Sequence, residues 1–381
     1  MATENNKNTK AKSNLSRKEQ QKRKKMIIAI EVVCLIVLLA VVFVWSFVGK
    51  IDFNPFDKEN AGINEDLTSE GLAYLEGYTN VAFFGIDSRS SGNYSGAQSD
   101  TIMVASINNE TKEVKLISVY RDTYLNTGHD VYSKANSAYA KGGPEAAVQM
   151  LNSNLDLNIT EYVCVDFVAL VEVIDALGGV DIDITHREAE IVNSMLFELE
   201  DIMDEKYPLI WYGGYQTLNG AQATSYARIR STEGSDFKRT SRQRIVLEAI
   251  LNKAKTSDVS TLLEICEVAF DDVSTSLELT EIMDLAKDVK SYTIAATSGF
   301  PFEMTTTNIP SCGDTVVPIS LENNVSMLYA FLFNAEGYVP SESVQFMSDY
   351  IIEVTGITPD SAAINTDKYN DTAGQEGTVF D

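Results

Sequence analysis

The chain of 381 residues carries two histidines and four cysteines, and that scarcity excludes several chemistries at once. His129 and His186 stand at no metal-ligand spacing from a cysteine, so no zinc-type motif can be written, and both read as ordinary surface residues. No cysteine or serine–histidine pair presents itself as a nucleophile. Cys34 falls in an apolar run and Cys164 in a strand-like stretch. Cys266 and Cys312 could bond to each other outside a cell, or could equally be two buried thiols. Positive charge is short as well. The net charge is −25, and residues 1–25 hold nine Lys/Arg against two Glu, so residues 26–381 carry −32. So acidic a body lacks the broad basic face that a nucleic-acid backbone demands, and no nucleic acid is expected as partner. No internal repeat is visible.

Only one apolar run has membrane length. Residues 26–48 are nearly uninterrupted Ile, Val and Leu, with Glu31 the only charge and Trp45 near the far end. At 1.5 Å per residue such a helix crosses a hydrocarbon core of about 30 Å. The basic flank should stay cytoplasmic and the C-terminal bulk lie outside. A cleaved signal peptide would have a shorter apolar region and an A-x-A site, and neither is present. The expected layout is a cytoplasmic basic tail (1–25), a transmembrane helix (26–48), an extracellular connector (49–78), one main folded domain (79–335), whose catalytic character only the resemblance below implies, and a C-terminal extension (336–381). The last stretch of that extension, about 28 residues without a hydrophobic period, reads as disordered. The protein is therefore expected in the cell membrane, crossing it once.

Within the domain, periodicity predicts strands over 81–86, 101–107, 114–119, 161–165, 180–184 and 292–296. The turn Asn108-Asn109-Glu110-Thr111 should join the second and third. Helices are predicted over 67–75, 136–151 (interrupted at Gly142-Gly143-Pro144), 167–177, 219–229, 236–255, 262–270, 279–289 and 321–333. The fold class is α/β, with an α+β-like mixed central sheet flanked by helices.

What the acidic body does contain is a set of eight arginines, seven of them in three short patches: Arg89; Arg121; and Arg228, Arg230, Arg239, Arg242 and Arg244. Arg187 stands apart. Guanidinium forks match phosphate oxygens two at a time and keep their charge at any working pH, which points to a site for a polyanion such as a pyrophosphate. On the helix over 236–255, Arg239, Arg242, Gln243, Val246, Ala249 and Ile250 share one face, so the first turn should aim guanidiniums at the mouth of an apolar core. Asp236 is placed to cap that helix. The pattern suits an amphiphile with a phosphate head and a greasy groove beneath; an internal salt-bridge network is the other reading. Asp87 and Asp100 stand at a strand end and a strand start. As neighbours they could share a hard cation, Mg²⁺ or alternatively Mn²⁺, with phosphate oxygens completing the shell. Taken singly, each is an ordinary turn or cap residue. Carboxylates plus arginines, without a nucleophile, suggest phosphoryl transfer by positioning and charge neutralisation.

Nine short motifs then occur in order. They are Gly85-Ile86-Asp87-Ser88-Arg89, Ser99-Asp100-Thr101-Ile102-Met103, Ser118-Val119-Tyr120-Arg121-Asp122-Thr123, Lys134-Ala135-Asn136-Ser137-Ala138-Tyr139, Gly142-Gly143-Pro144-Glu145, Leu177-Gly178-Gly179-Val180, Leu218-Asn219-Gly220-Ala221-Gln222-Ala223, Tyr226-Ala227-Arg228-Ile229-Arg230 and Asp236-Phe237-Lys238-Arg239-Thr240-Ser241-Arg242-Gln243. Together they resemble the LytR–CpsA–Psr family of Gram-positive envelope proteins over roughly residues 79–255, more weakly to 333. The resemblance implies an extracellular transferase that takes a glycopolymer, of teichoic acid or capsular polysaccharide type, from a polyprenyl-pyrophosphate carrier. It implies attachment to peptidoglycan through a phosphodiester. Carried over by position, Asp87 and Asp100 look like the Mg²⁺ carboxylates. Arg89, Arg121, Arg228, Arg230, Arg239 and Gln243 look like the pyrophosphate shell, with Lys134 nearby. Asp122 is the candidate general base, or else simply orients Arg121. One departure is local: the family often has Ile-Pro-Arg-Asp where this chain has Val119-Tyr120-Arg121-Asp122. The acidic, Met-rich segment 188–212 is where family members diverge, and it could help choose the substrate. A non-catalytic binder of lipid-linked precursors, or a hydrolase of the carrier pyrophosphate, would share much of this site.

Overall fold

The computed structural model describes residues 52–53, 56–86, 97–230, 235–258, 261 and 273–364. The apolar segment 26–48, Asp87, Arg89, Cys266 and the helix predicted over 262–270 lie outside them. Among the described residues no helix is long and apolar enough to cross a membrane.

In chain order the elements are β1 (Asp52–Phe53), α1 (Ser69–Glu76), β2 (Tyr78–Ile86), β3 (Ser99–Asn108), β4 (Glu113–Val119), β5 (Tyr124–Asn126), β6 (Tyr132–Lys134) and α2 (Asn136–Leu155). Then follow β7 (Glu161–Asp166), α3 (Phe167–Ala176), β8 (Val180–Ile184), α4 (His186–Met203), β9 (Gly214–Leu218), α5 (Gly220–Ala227) and α6 (Ser235–Thr256). The chain continues through β10 (Val273–Thr275), α7 (Leu279–Lys287), β11 (Thr293–Phe300), β12 (Met304–Ile309), β13 (Gly313–Pro318), α8 (Leu321–Phe333) and α9 (Glu342–Thr355). Seven strands form one mixed sheet in the order β1-β10-β7-β2-β3-β4-β11. β2 runs antiparallel to β3 and parallel to β7; β3 is antiparallel to β4, and β4 is parallel to β11.

Alternation along the strands splits the core between the two faces of this sheet. Phe84, Ile102, Val104, Ile117 and Val119 face one cluster, completed by α2, α8 and α9 through Leu151, Leu328 and Val344. Met103, Ala105, Val114 and Leu116 face the other, under Leu247 and Leu251 of α6 and Leu285 of α7. A separate cluster joins α3, α4, α5, α6 and β8 around Ile174, Val192, Ala223 and Val246. The β3–β4 turn forms as expected because the Asn108 side chain accepts from the Glu110 and Thr111 amides at 3.0 and 2.9 Å. The expected interruption of α2 is also present: Gly142 leaves helical geometry and Gly143 takes φ 68°.

Other elements depart from expectation. The 188–212 segment contributes most of α4, opened by a reciprocal capping box between Thr185 and Glu188. The domain does not stop at 335. Val344, Met347 and Ile351 of α9 are buried in the main cluster, as are Phe56, Ala61 and Leu67 of the connector, so apolar side chains spaced along both flanks find the core.

The α3–α5 contact is unusually tight. A Cβ built on Gly220 would lie 2.1 Å from the Val171 carbonyl oxygen. Gly220→Ala should therefore lower the urea midpoint by an amount corresponding to roughly 2–3 kcal/mol, the cost of an overpacked site. A midpoint unchanged from wild type would show that the two helices can part freely.

Candidate active site

Strand direction explains why residues distant in sequence meet. β2, β4 and β7 end at the same edge of the sheet, and antiparallel β3 begins there. That edge carries Asp100 at the start of β3, Arg121 just past β4, Asp166 at the end of β7 and Phe167 just past it. Arg228, the C-cap of α5, Arg230 two residues on, and Arg239, early in α6, come down over it. The carboxyl edge of parallel-type strands is where open α/β sheets tend to place ligands.

The side chains there form a connected ion network. Asp100 pairs with Arg121 at 2.5 Å through one oxygen and with Arg230 at 2.9 Å through the other. Its main-chain carbonyl accepts from Arg239 at 3.1 Å. Asp236, expected as a helix cap, instead turns its carboxylate to Arg239 (3.1 Å), Arg121 (3.3 Å) and Arg230 (3.7 Å). Burial pushes the Asp236 carboxyl up; Arg121 and Arg230 pull it back, while Asp122 and Asp100 add to the rise. Burial also works against the Arg121 charge, but Asp236, Asp100 and Asp122 outweigh it and hold that guanidinium above its usual value. Asp122 sits between Arg121 (3.6 Å) and Lys134 (2.9 Å). Main-chain bonds brace this arrangement: the Asn136 amide donates to the Arg121 carbonyl at 3.0 Å and the Ala135 amide to the Thr123 carbonyl at 2.8 Å.

Arg228 is held differently. It stacks over Phe167 at 4.2 Å and donates to Glu198 of α4 at 3.0 Å. Arg239 is only 3% exposed. Its Nε and Nη1, and Nη1 of Arg228, are buried without a hydrogen-bond partner among the described residues. Such donors are costly unless something else takes their hydrogens. Both guanidiniums line a cavity of about 200 Å³ together with Gly85, Asp100, Arg230 and Gln243. A second cavity, about 140 Å³, shares Arg228 and Gln243 with it, lies between Met103, Leu170, Val246 and Ile250, and is mostly apolar.

The structure thus brings together Asp100, Arg121, Asp122, Lys134, Arg228, Arg230, Arg239 and Gln243. Arg242 and Arg244 do not join them. Arg242 is buried at 2.7 Å from Glu188 and donates to the Ile229 carbonyl. Arg244 is buried elsewhere, and burial, opposed by Tyr120, pushes it down to about 10. The face shared by Arg239, Arg242 and Gln243 is therefore divided between a site and a structural ion pair. Three further residues join the site: Asp236, expected only as a helix cap, Glu198, and Phe167, which starts the helix expected to line the apolar groove. The i,i+3 spacing of Asp236 and Arg239 was a usable signal for the first; the other two reach Arg228 only through tertiary packing. His129 and His186 are exposed, and the half-buried Cys312 thiol lies 3.8 Å from the Ser133 hydroxyl.

For a divalent cation, the chemistry of the donor set fits in part. Asp100 offers hard oxygens, and each carboxylate oxygen keeps a lone pair beyond the guanidinium it already accepts. Among the described residues no group of three or more His, Cys, Asp or Glu could hold a metal. A cation here would need Asp87, phosphate oxygens and water to complete its shell, as Mg²⁺ commonly does.

The site thus combines a mixed sheet, an arginine-rich edge and an adjoining apolar cavity. A family model described as the LytR_cpsA_psr family matches residues 55–322, and the chain belongs to that family. TagV of Bacillus subtilis (strain 168) is 28% identical over 243 residues, which is 62% of this chain and 60% of that protein. TagU of Enterococcus faecalis (strain ATCC 700802 / V583) is 32% identical over 214 residues, 55% of this chain and 65% of that protein. Both relatives are named polyisoprenyl-teichoic acid–peptidoglycan teichoic acid transferases, and the chain spans less than two thirds of the length of either. Among solved structures, TagT bound to LI-WTA shares the fold with a TM-score of 0.56 at 21% identity, covering 75% of this chain and 100% of that one. The crystal structure of B. subtilis TagV gives 0.54 at 25% identity, covering 69% of this chain and 98% of that one.

Proposed function

We propose that the protein is an extracellular, membrane-anchored transferase that moves a teichoic-acid-type or capsular glycopolymer from a polyprenyl-pyrophosphate carrier onto peptidoglycan. The observation that carries this reading is the junction of the two cavities. Guanidinium N–H groups without a hydrogen-bond partner among the described residues lie on the arginines that line the polar one, and the apolar one adjoins it, sharing Gly85, Thr101, Phe167, Arg228 and Gln243 in its lining. A pyrophosphate with a prenyl tail has the matching order of chemistry. The apolar cavity is small, so in this state it has room for the start of a prenyl chain rather than all of it. The apolar segment 26–48 is proposed as the anchor, with the basic tail cytoplasmic.

On donor binding, Arg228 and Arg239 take phosphate oxygens with their unpartnered N–H groups. Arg121 and Arg230 exchange their carboxylate partners for phosphate, so Asp100 and Asp236 act as stand-ins for the anion beforehand. Asp100 and Asp87 would hold Mg²⁺ or Mn²⁺, which when bound would add charge neutralisation to the pyrophosphate. The acceptor hydroxyl oxygen attacks the sugar-proximal phosphorus. The bond from that phosphorus to the bridging oxygen breaks, and polyprenyl phosphate leaves. Asp122, which in the resting arrangement orients Arg121 and Lys134, is the carboxylate proposed to take the hydroxyl proton.

The test uses the full chain with a labelled polyprenyl-pyrophosphate oligosaccharide and uncrosslinked peptidoglycan, with and without Mg²⁺, followed by mass spectrometry of the glycan strands. A Mg²⁺-dependent phosphodiester adduct is expected. Tight donor binding without an adduct would favour a regulator, and released sugar phosphate a hydrolase. Filling the apolar cavity is a second check. Leu170→Trp should raise KM for long-prenyl donors about tenfold or more, the equivalent of roughly 1.4 kcal/mol, and leave KM for the acceptor unchanged. An unchanged donor KM would remove that cavity from the binding path.

A further inference from the structure

A concave pocket of about 590 Å³ opens at the far end of α5 from the arginines, lined by Asp175, Leu209, Trp211, Tyr212, Gln216 and Asn219 among others. α5 has eight residues, so its two ends are separated by about 12 Å at 1.5 Å per residue. One end carries Arg228, the other Asn219. Around the pocket, Trp211 is 71% exposed, Tyr212 80% and Tyr215 76%. Three large aromatic rings within five residues, all turned to solvent, keep apolar surface in contact with water without gaining packing, and clusters of that kind mark binding surfaces. Polar groups ring the same hollow. Asp175 accepts the Gly220 amide at 2.7 Å with one oxygen, and Gln216 donates to the Tyr212 carbonyl at 2.8 Å. Neither the second Asp175 oxygen nor the Asn219 amide NH₂ makes a hydrogen bond among the described residues.

We infer that this pocket is a glycan subsite, taking a neutral N-acetylated hexosamine segment of the acceptor strand with its sugar rings stacked on Trp211 and Tyr212. The identity of the occupant rests on the transferase reading above. Aromatic faces meet the C–H faces of pyranose rings, while carboxylate and amide groups take the hydroxyls; exposed rings beside unspent polar groups supply both. Charge selects among ligands. Glu205, Asp175 and Glu172 lie close enough to help burial drive the neighbouring Tyr207 hydroxyl up to about 12. An acidic surround repels a polyanionic teichoic chain and the anionic face of a membrane alike. A neutral glycan meets neither penalty. The subsite at one end of α5 and the arginine site at the other would then hold acceptor and donor on one short rigid element.

Trp45 and Trp211 are the chain's two tryptophans, so with Trp45→Phe as the background the emission comes from Trp211 alone and reports on the pocket. The experiment is a fluorescence titration of the full chain in detergent micelles with a soluble β-1,4-linked N-acetylglucosamine tetramer, without donor or Mg²⁺. Saturable change in Trp211 emission is expected, weakened roughly tenfold by Tyr212→Ala, about the value of one aromatic stacking contact. Phe197→Ala, at a ring 63% exposed on α4 but outside this lining, should leave the titration unchanged. Tyr212 and Phe197 are both exposed, so melting temperatures should match that background. No saturable change, or equal affinity in Tyr212→Ala, overturns the inference. So does a blue shift of Trp211 seen only on reconstitution into phosphatidylglycerol vesicles, which would make the patch a membrane contact. Donor-lipid binding measured on the same proteins is independent of the sugar titration. Its absence from wild type would sink the transferase reading alone, and its persistence beside a failed titration would sink the subsite alone.

Discussion

Arg121→Ala is expected to abolish transfer, lowering kcat/KM by at least about 10³-fold, within the range seen when one arginine or one preorganised donor is lost from a phosphoryl- or acyl-transfer site. The guanidinium touches Asp100, Asp122 and Asp236 at 2.5, 3.6 and 3.3 Å. Removing it leaves three carboxylates to share Arg230, Arg239 and Lys134, so the variant loses both a phosphate ligand and the order of its neighbours. Asp100→Ala should be comparably inactive for a complementary reason. Without that carboxylate, Arg121 and Arg230 lose the partner that holds them, and the proposed cation site loses one of its two carboxylates. Both side chains are half-buried at the edge of the sheet, so neither change empties the core, and a stability loss of about 1–2 kcal/mol is expected. Arg121→Lys keeps the charge and loses the fork; it should recover only part of the rate, because a point charge cannot hold two phosphate oxygens in fixed directions. Single-turnover kinetics with matched thermal melts decide the matter. Retained transfer in a folded Arg121→Ala or Asp100→Ala protein would refute the site.

The largest effect on stability is expected at Asp156. This residue is fully buried and stands at the end of α2 with φ 53°, a left-handed conformation that Asp tolerates and Ala does not. Its carboxylate accepts from the Ser341 amide and hydroxyl, both at 2.7 Å, from the Asn64 amide at 2.7 Å and from the Tyr338 hydroxyl at 3.1 Å. Its carbonyl accepts from the Tyr329 hydroxyl. One side chain thereby ties the connector, α2 and the segment leading into α9. Asp156→Ala would strand several buried donors, each costing about 1–3 kcal/mol, and would strain the backbone as well. A net loss of roughly 4–5 kcal/mol follows, near the upper end for single substitutions. Asp156→Asn keeps an acceptor and tolerates the same φ, so it should lose less than half as much. Urea unfolding of the two variants tests this; a loss below about 1 kcal/mol for alanine would mean that the flanking segments are held in some other way.

Much of the sheet was legible in advance because burial of both faces leaves alternation and apolar runs that no other element imitates, as in β2, β3 and β4. α8 was equally plain, with its Leu, Val and Phe spacing. α4 is less plain: its start signal, the Thr185–Glu188 box, and its period of Ile191, Val192, Met195, Leu196 and Leu199 are interleaved with acidic residues that dilute the apolar stripe. The connector and α9 carry little apolar signal because each is mostly polar. Their few apolar side chains count only when set against α2 and α8.

From the sequence alone came the apolar segment with its basic flank, the acid excess that argues against nucleic acid, and the gathering of scarce arginines into patches. Those follow from composition and local order, which folding does not alter. Only the tertiary structure decided which arginines face a cavity and which brace the fold. Helical period puts Arg239, Arg242 and Gln243 on one face of α6, but what that face meets is chosen by packing. Arg239 reaches Asp100, 139 positions away, while Arg242 reaches Glu188, 54 away. Ion pairs act over a few ångströms whatever the length of chain between the partners, so the division between site and scaffold is made when the sheet edge, α4 and α6 come together.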